Sequence, residues 1–248
     1  MRTYSSTSFF GIEDVEKFYK NMQNAVNSLH STDGVYLGDN VFTHQRNLSF
    51  LDDMELMNAH ARHCSSEVEK ALLWRISIIL WGFRNGLSIE GDFVECYSGR
   101  GNIARIICDT VNFNTFKDRR YYLYDPFDPD GGLSDQDAVQ QQQEAIADAK
   151  ERFASFDNVI VTRGTVPGIM ELVAPRTVAF LHLLLHSREA EIGTLEFLFE
   201  RMSPGAIVLL DHFGWLHYRA QRQALEAWFS KRGYHVLELP TGQGLVIK

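Results

Sequence analysis

The chain has 248 residues, 45% hydrophobic and 23% charged, with a formal net charge of -8. That composition suits a globular protein with a sizeable core, and the acidic balance without a Lys/Arg run argues against a nucleic-acid substrate. No apolar stretch approaches the roughly 20 residues a bilayer needs. The most apolar window, residues 76–83, is flanked by Arg75 and Arg84 and reads as a buried helix.

Three cysteines (Cys64, Cys96, Cys108) form no CxxC pair. A disulfide framework is therefore not expected, and a reducing, cytoplasmic setting fits best. The N-terminus shows no signal-peptide pattern.

In chain order, residues 1–88 read as a helical extension and residues 89–248 as the core. Ile12, Val15, Phe18, Tyr19, Met22, Val26 and Leu29 recur at helical spacing. A turn region follows at residues 34–40. Asp52 is the expected cap of a short helix carrying Met54, Leu56 and Met57. Ser66 and Glu69 form a capping box ahead of the apolar run that holds Leu72, Ile76 and Leu80. This extension either covers a pocket as a lid, with Arg46, or forms a homo-oligomer contact.

From Gly91 the texture changes to β-rich runs alternating with helical patterns. Strands are expected at 93–96, 121–124, 159–162, 178–184, 206–210, 235–239 and 245–247, with helices at 102–111, 134–156, 167–173, 187–202 and 215–231. Such alternation implies a parallel sheet covered on both faces. The last two strands are joined only by residues 240–244, too few for a parallel crossover, so they must be an antiparallel hairpin. The expected fold is α/β and Rossmann-like, the class I methyltransferase sheet of seven strands with the last one reversed.

Ligands of open α/β sheets bind beyond the carboxyl ends of the strands. The first such end reads Glu95-Cys96-Tyr97-Ser98-Gly99-Arg100-Gly101, an acidic residue followed by Gly-x-Gly at a helix start. It matches the first S-adenosylmethionine (SAM) motif in part, with Tyr97 where the fuller motif has glycine. The second strand ends at Asp125, where a carboxylate can accept both hydroxyls of a ribose diol. The third ends near Gly164 and Thr165, beside the usual adenine position. The cofactor-binding candidates are thus Glu95, Tyr97, Gly99, Gly101, Asp125, Gly164 and Thr165. A plain tight turn and a turn aspartate before Pro126 are the bland alternatives.

Gly91-Asp92-Phe93-Val94-Glu95-Cys96, Tyr124-Asp125-Pro126-Phe127, Phe180-Leu181-His182, Ser203-Pro204-Gly205 and Leu210-Asp211-His212-Phe213-Gly214 together give a chain that resembles the macrocin O-methyltransferase family from about Gly91 to Lys248. Residues 40–84 also look like the N-terminal part of some members. That family includes enzymes that methylate deoxysugar hydroxyls of macrolide and aminocoumarin antibiotics. The resemblance implies SAM as methyl donor and a divalent metal, usually Mg²⁺, held by carboxylates after the fourth and fifth strands. This chain departs from that pattern: the expected acidic position is Leu184, and the expected Asp-Asp is Asp211-His212.

Mg²⁺ prefers oxygen ligands, so this substitution weakens the case for it. His186, His212 and Asp211 instead compose a two-His, one-carboxylate set of the kind that suits iron, zinc or manganese; the plainer alternative is that they are polar residues at a pocket rim. Methyl transfer to a hydroxyl also needs a base, and a histidine titrates near neutral pH. His186 or His212 is the expected base, with Asp211 orienting it; His182, mid-strand, reads as a satisfied core histidine. Trp215, His217 and Tyr218 either line the acceptor site or pack a helix start. The leading expectation is a SAM-dependent methyltransferase of a small molecule in natural-product biosynthesis, acting on an oxygen and engaging neither nucleic acid nor membrane. The alternatives are a catalytically silent SAM-binding homologue and an enzyme using a redox metal on the same fold.

Overall fold

A computed structural model describes residues 2–128 and 135–248. Two compact units, Met1–Ile78 and Ile79–Lys248, divide the chain inside one helix.

The first unit is not wholly helical. Strand β1 (Thr3–Ser5) pairs parallel with β2 (Val35–Gly38), which pairs antiparallel with β3 (Val41–Thr43). Asp39 and Asn40 both take positive φ, the backbone of a tight two-residue hairpin. Strands this short show too little alternation to be told from a turn. Helix α1 (Val15–Asn27) is capped by Asp14, and α2 (Met54–His63) by Asp53. Asp52, the expected cap of α2, lies one residue earlier in a 3₁₀ turn and pairs with Arg2. The Ser66–Glu69 capping box opens α3 (Glu67–Ala71), which breaks at Leu72 before α4 (Leu73–Gly86). Within this unit Arg75 forms a buried ion pair with Asp39 at 3.0 Å.

The second unit contains β4 (Asp92–Cys96), β5 (Tyr121–Asp125), β6 (Val159–Arg163), β7 (Val178–Leu183), β8 (Met202–Leu210), β9 (Leu237–Glu238) and β10 (Gly244–Ile247). Their order across the sheet is β6-β5-β4-β7-β8-β10-β9. Strands β6, β5, β4, β7 and β8 are parallel, and β10 is antiparallel to both β8 and β9. All seven expected strands form, with the hairpin that the short connection required.

Helices α5 (Asn102–Val111), α6 (Asp135–Arg152), α7 (Arg188–Leu198) and α8 (Arg219–Ser230) intervene. The expected start of α6 at Ser134 lies outside the described residues. Segments 167–173, 199–201 and 216–218 are short 3₁₀ turns or include them, where longer helices were expected. Pro204 and Gly205 lie inside β8, and a register shift between Val178 and Phe180 on β7 absorbs them. Val94, Leu181 and Val208 from three adjacent strands are fully buried, each contributing about 1.5–3 kcal/mol. No helix of the described residues is long and apolar enough to cross a membrane.

Candidate active site

The turn after β4 is built on three left-handed residues: Tyr97 (φ 70), Gly99 (φ 54) and Gly101 (φ 79). Glycine takes this backbone freely, but a side chain there costs about 1–2 kcal/mol. Tyr97 therefore holds a backbone conformation that glycine would take without that cost. Gly101 opens α5, and a Cβ on it would lie 2.6 Å from the Phe153 ring.

Across the turn, Asp125 ends β5. Its Oδ2 accepts the Gly99 N–H at 2.6 Å, and its Oδ1 accepts the Phe127 N–H at 2.6 Å. Burial raises its pKa, against the lowering pull of those two N–H groups. Tyr97, Gly99, Arg100, Asp125, Phe127 and Asp128 line a cavity of about 170 Å³, completed from α6. That is below the roughly 300–1,000 Å³ of a full small-molecule site. It matches part of a nucleoside cofactor, and a carboxylate fixed by two backbone donors is what a ribose diol requires. The residues present thus fit SAM.

Gly164 donates its N–H to the Asp125 carbonyl at 3.0 Å, and Thr165 begins the turn after β6. Among the described residues neither lines the cavity. Glu95 does not reach it either. Glu95 and His182 are register partners on β4 and β7, so their side chains share one face of the sheet. Glu95 Oε2 accepts from Tyr121 Oη at 2.7 Å and from His182 Nδ1 at 3.1 Å. His182 Nε2 lies 3.4 Å from Asp211 Oδ1, which also accepts from Gln243 Nε2 at 2.9 Å. Burial works against a charge on this ring, but Asp211 and Glu95 overcome it and hold the pKa at about 9. His182 is accordingly an imidazolium donating both N–H groups. The result is a buried polar chain spanning β5, β4, β7, the end of β8 and the start of β10.

This arrangement places two of the expected carboxylates within the sheet. Glu95 lies on β4 with its carboxylate engaged by Tyr121 and His182. Asp211 is 2% exposed, and its Oδ1 is shared by His182 and Gln243. Among the described residues no group of three or more His, Cys, Asp or Glu side chains could hold a metal ion. Leu184, His186 and His212 supply no carboxylate oxygen, so the donor set does not fit Mg²⁺.

Above Asp211 four flat side chains gather. The His186 and His212 rings stack at 4.9 Å, and His212 stacks on Tyr218 at 4.6 Å. Tyr97 stands perpendicular to His186 at 4.9 Å. His186 Nδ1 and Tyr218 Oη are hydrogen-bonded at 2.7 Å. Burial lowers the His186 pKa, outweighing the nearby Asp211, so the ring is neutral at pH 7.

Two further groups escaped the sequence reading. Gln243 sits in what reads as an ordinary hairpin turn, and only the hairpin's register brings it to Asp211. Glu191 on α7 accepts from Gln221 Nε2 at 2.5 Å, and burial pushes its pKa up to about 8. Nothing in the local sequence marks either one. Trp215 packs against Gly242 of the hairpin, whereas His217 is exposed.

The strand order, the reversed β10 and the turn after β4 define the fold of class I methyltransferases. Neither a protein-family model nor a curated protein matches the chain. Solved structures do. The O-methyltransferase NovP superposes with a TM-score of 0.57 at 16% identity, over 72% of this chain and 81% of its own. CalS11, a TDP-rhamnose 3'-O-methyltransferase of calicheamicin biosynthesis, gives 0.54 at 13% identity, over 83% and 96%. A second CalS11 structure gives 0.55 at 14%, over 88% and 99%. At such identities the likeness establishes the fold.

Proposed function

We propose that the chain is a SAM-dependent methyltransferase acting on a hydroxyl of a small molecule, in the sugar or natural-product class that CalS11 exemplifies. The observation that carries this reading is Asp125, fixed by the Gly99 and Phe127 N–H groups at the rim of a cavity formed by the Tyr97–Gly101 turn. The buried thiols Cys64, Cys96 and Cys108, none in a disulfide, support a reducing compartment.

The donor supplies a methyl carbon on a positively charged sulfur, a good leaving group. The chain's work is then to hold that donor, orient the acceptor and take its proton. With Nδ1 engaged by Tyr218, Nε2 of the neutral His186 is the nitrogen that can accept it. His212, stacked against both His186 and Tyr218, fixes the plane of both rings. Asp211 acts at one remove, through the field it exerts on His186.

The test is calorimetric titration of the purified protein with S-adenosylhomocysteine (SAH), followed by turnover over a panel of sugar and phenolic hydroxyls. Lack of binding rejects the reading. A second reading, a silent SAM-binding homologue, is favoured by Leu184 at the expected acidic position. Binding of SAH with no turnover over the panel, with or without added metal, selects it.

A further inference from the structure

Among the described residues, Tyr97 is the one shared by the cavity beside Asp125 and the ring cluster around His186. It holds a left-handed backbone at φ 70, which a glycine would hold without strain. A strained side chain at a functional turn points to a role for the side chain itself. The ring stands between the cavity beside Asp125 and the His186 ring.

The electrostatics around this ring favour a cation. Asp125 and Asp128 both line the cavity and both bear on Tyr97. Arg100, the cation lining the cavity among the described residues, is paired with Asp148 at 2.6 Å. The local balance is negative, and an aromatic face attracts a positive charge.

We propose that Tyr97 is a specificity-determining residue that recognises the sulfonium cation of the methyl donor through its aromatic ring. This rests on the function proposed above. The ring then discriminates charged donor from neutral product: SAM is held while it carries the methyl group, and SAH loses that attraction once the group has gone. The strained turn presents the ring at the boundary between donor and acceptor.

The experiment is calorimetric titration of SAM and SAH into wild type, Tyr97→Phe and Tyr97→Asn. Asparagine tolerates the left-handed backbone but has no aromatic face. Wild type and Tyr97→Phe are expected to bind SAM about 2- to 30-fold more tightly than SAH, the range a cation over a ring supplies. In Tyr97→Asn that ratio is expected to fall to about 1 with SAH affinity retained. A wild-type protein that binds both ligands without preferring SAM overturns the inference, whatever the variants do. So does an unchanged ratio in Tyr97→Asn. In both cases the donor assignment stands. If wild type binds neither ligand, the proposed function falls and this inference with it.

Discussion

The carboxylate of Asp125 accepts the backbone N–H of Gly99 at 2.6 Å, which ties the end of β5 to the turn after β4. The contact joins two strand ends that meet only because β4 and β5 are neighbours in the sheet. It leaves the carboxylate fixed at the cavity rim.

Replacing Asp125 with Ala removes both the proposed acceptor for a ribose diol and the clamp on the turn. Hydrogen bonds to a charged group are worth about 1.5–3 kcal/mol. SAH affinity is expected to drop at least about tenfold, measured by calorimetry, with the circular dichroism spectrum unchanged.

His182 gives stability a pH dependence with a definite sign. Its pKa is raised in the folded protein to about 9 from 6.5. Its contribution is therefore complete below pH 6.5 and is lost as the pH rises towards 9. Thermal melting should show a falling midpoint across that window. His182→Asn should abolish the His182 part of the slope and cost about 3–5 kcal/mol, because Glu95 and Asp211 are left buried without their cation.

Glu191 acts in the same direction but over a lower window. Its folded pKa is raised to about 8 from 4.5, so the protonated form is favoured by folding. The contribution is complete below about pH 4.5 and is lost as the pH approaches 8. Glu191→Gln stays neutral throughout. It should be more stable than wild type at pH 8 and should flatten the melting curve between pH 5 and 6.5, where His182 adds no slope.

His186→Ala is expected to lower kcat by about 10²-fold or more on any acceptor found, the usual contribution of a general base, with SAH affinity unchanged. Tyr218→Phe keeps the stacked ring and loses the hydroxyl. Its pH–rate profile should shift, because the partner that orients Nδ1 is gone. An intact kcat in His186→Ala would move the base to another residue.

Exhaustive treatment with a chelator should leave turnover unchanged, since among the described residues no donor set for Mg²⁺ assembles around Leu184, His186 and His212. A rate restored only by added divalent ion would contradict that.

The sheet was readable because each core strand is a short apolar run ended by turn residues, and because five residues cannot carry a parallel crossover. The turn at Gly99 and Gly101 and the carboxylate at Asp125 were readable for the same reason: position at a strand end defines what they can touch. Side-chain direction was not readable. Glu95 follows the motif, yet its register with His182 turns it along the sheet face. Asp211 looks like a ligand until His182 and Gln243 are seen beside it. The small sheet of the first unit was hidden by strands of three and four residues, and its β1–β2 pairing depends on partners some 30 residues apart.

Strand β10 is drawn from residues 244–247, yet it lies inside the sheet between β8 and β9. During synthesis the segment that fills this gap leaves the ribosome after every other strand of the unit. Until then β8 shows an open edge, and Asp211 lacks the amide of Gln243. Nascent chains halted short of residue 243 should therefore be prone to pairing with one another through β8 and dependent on chaperones.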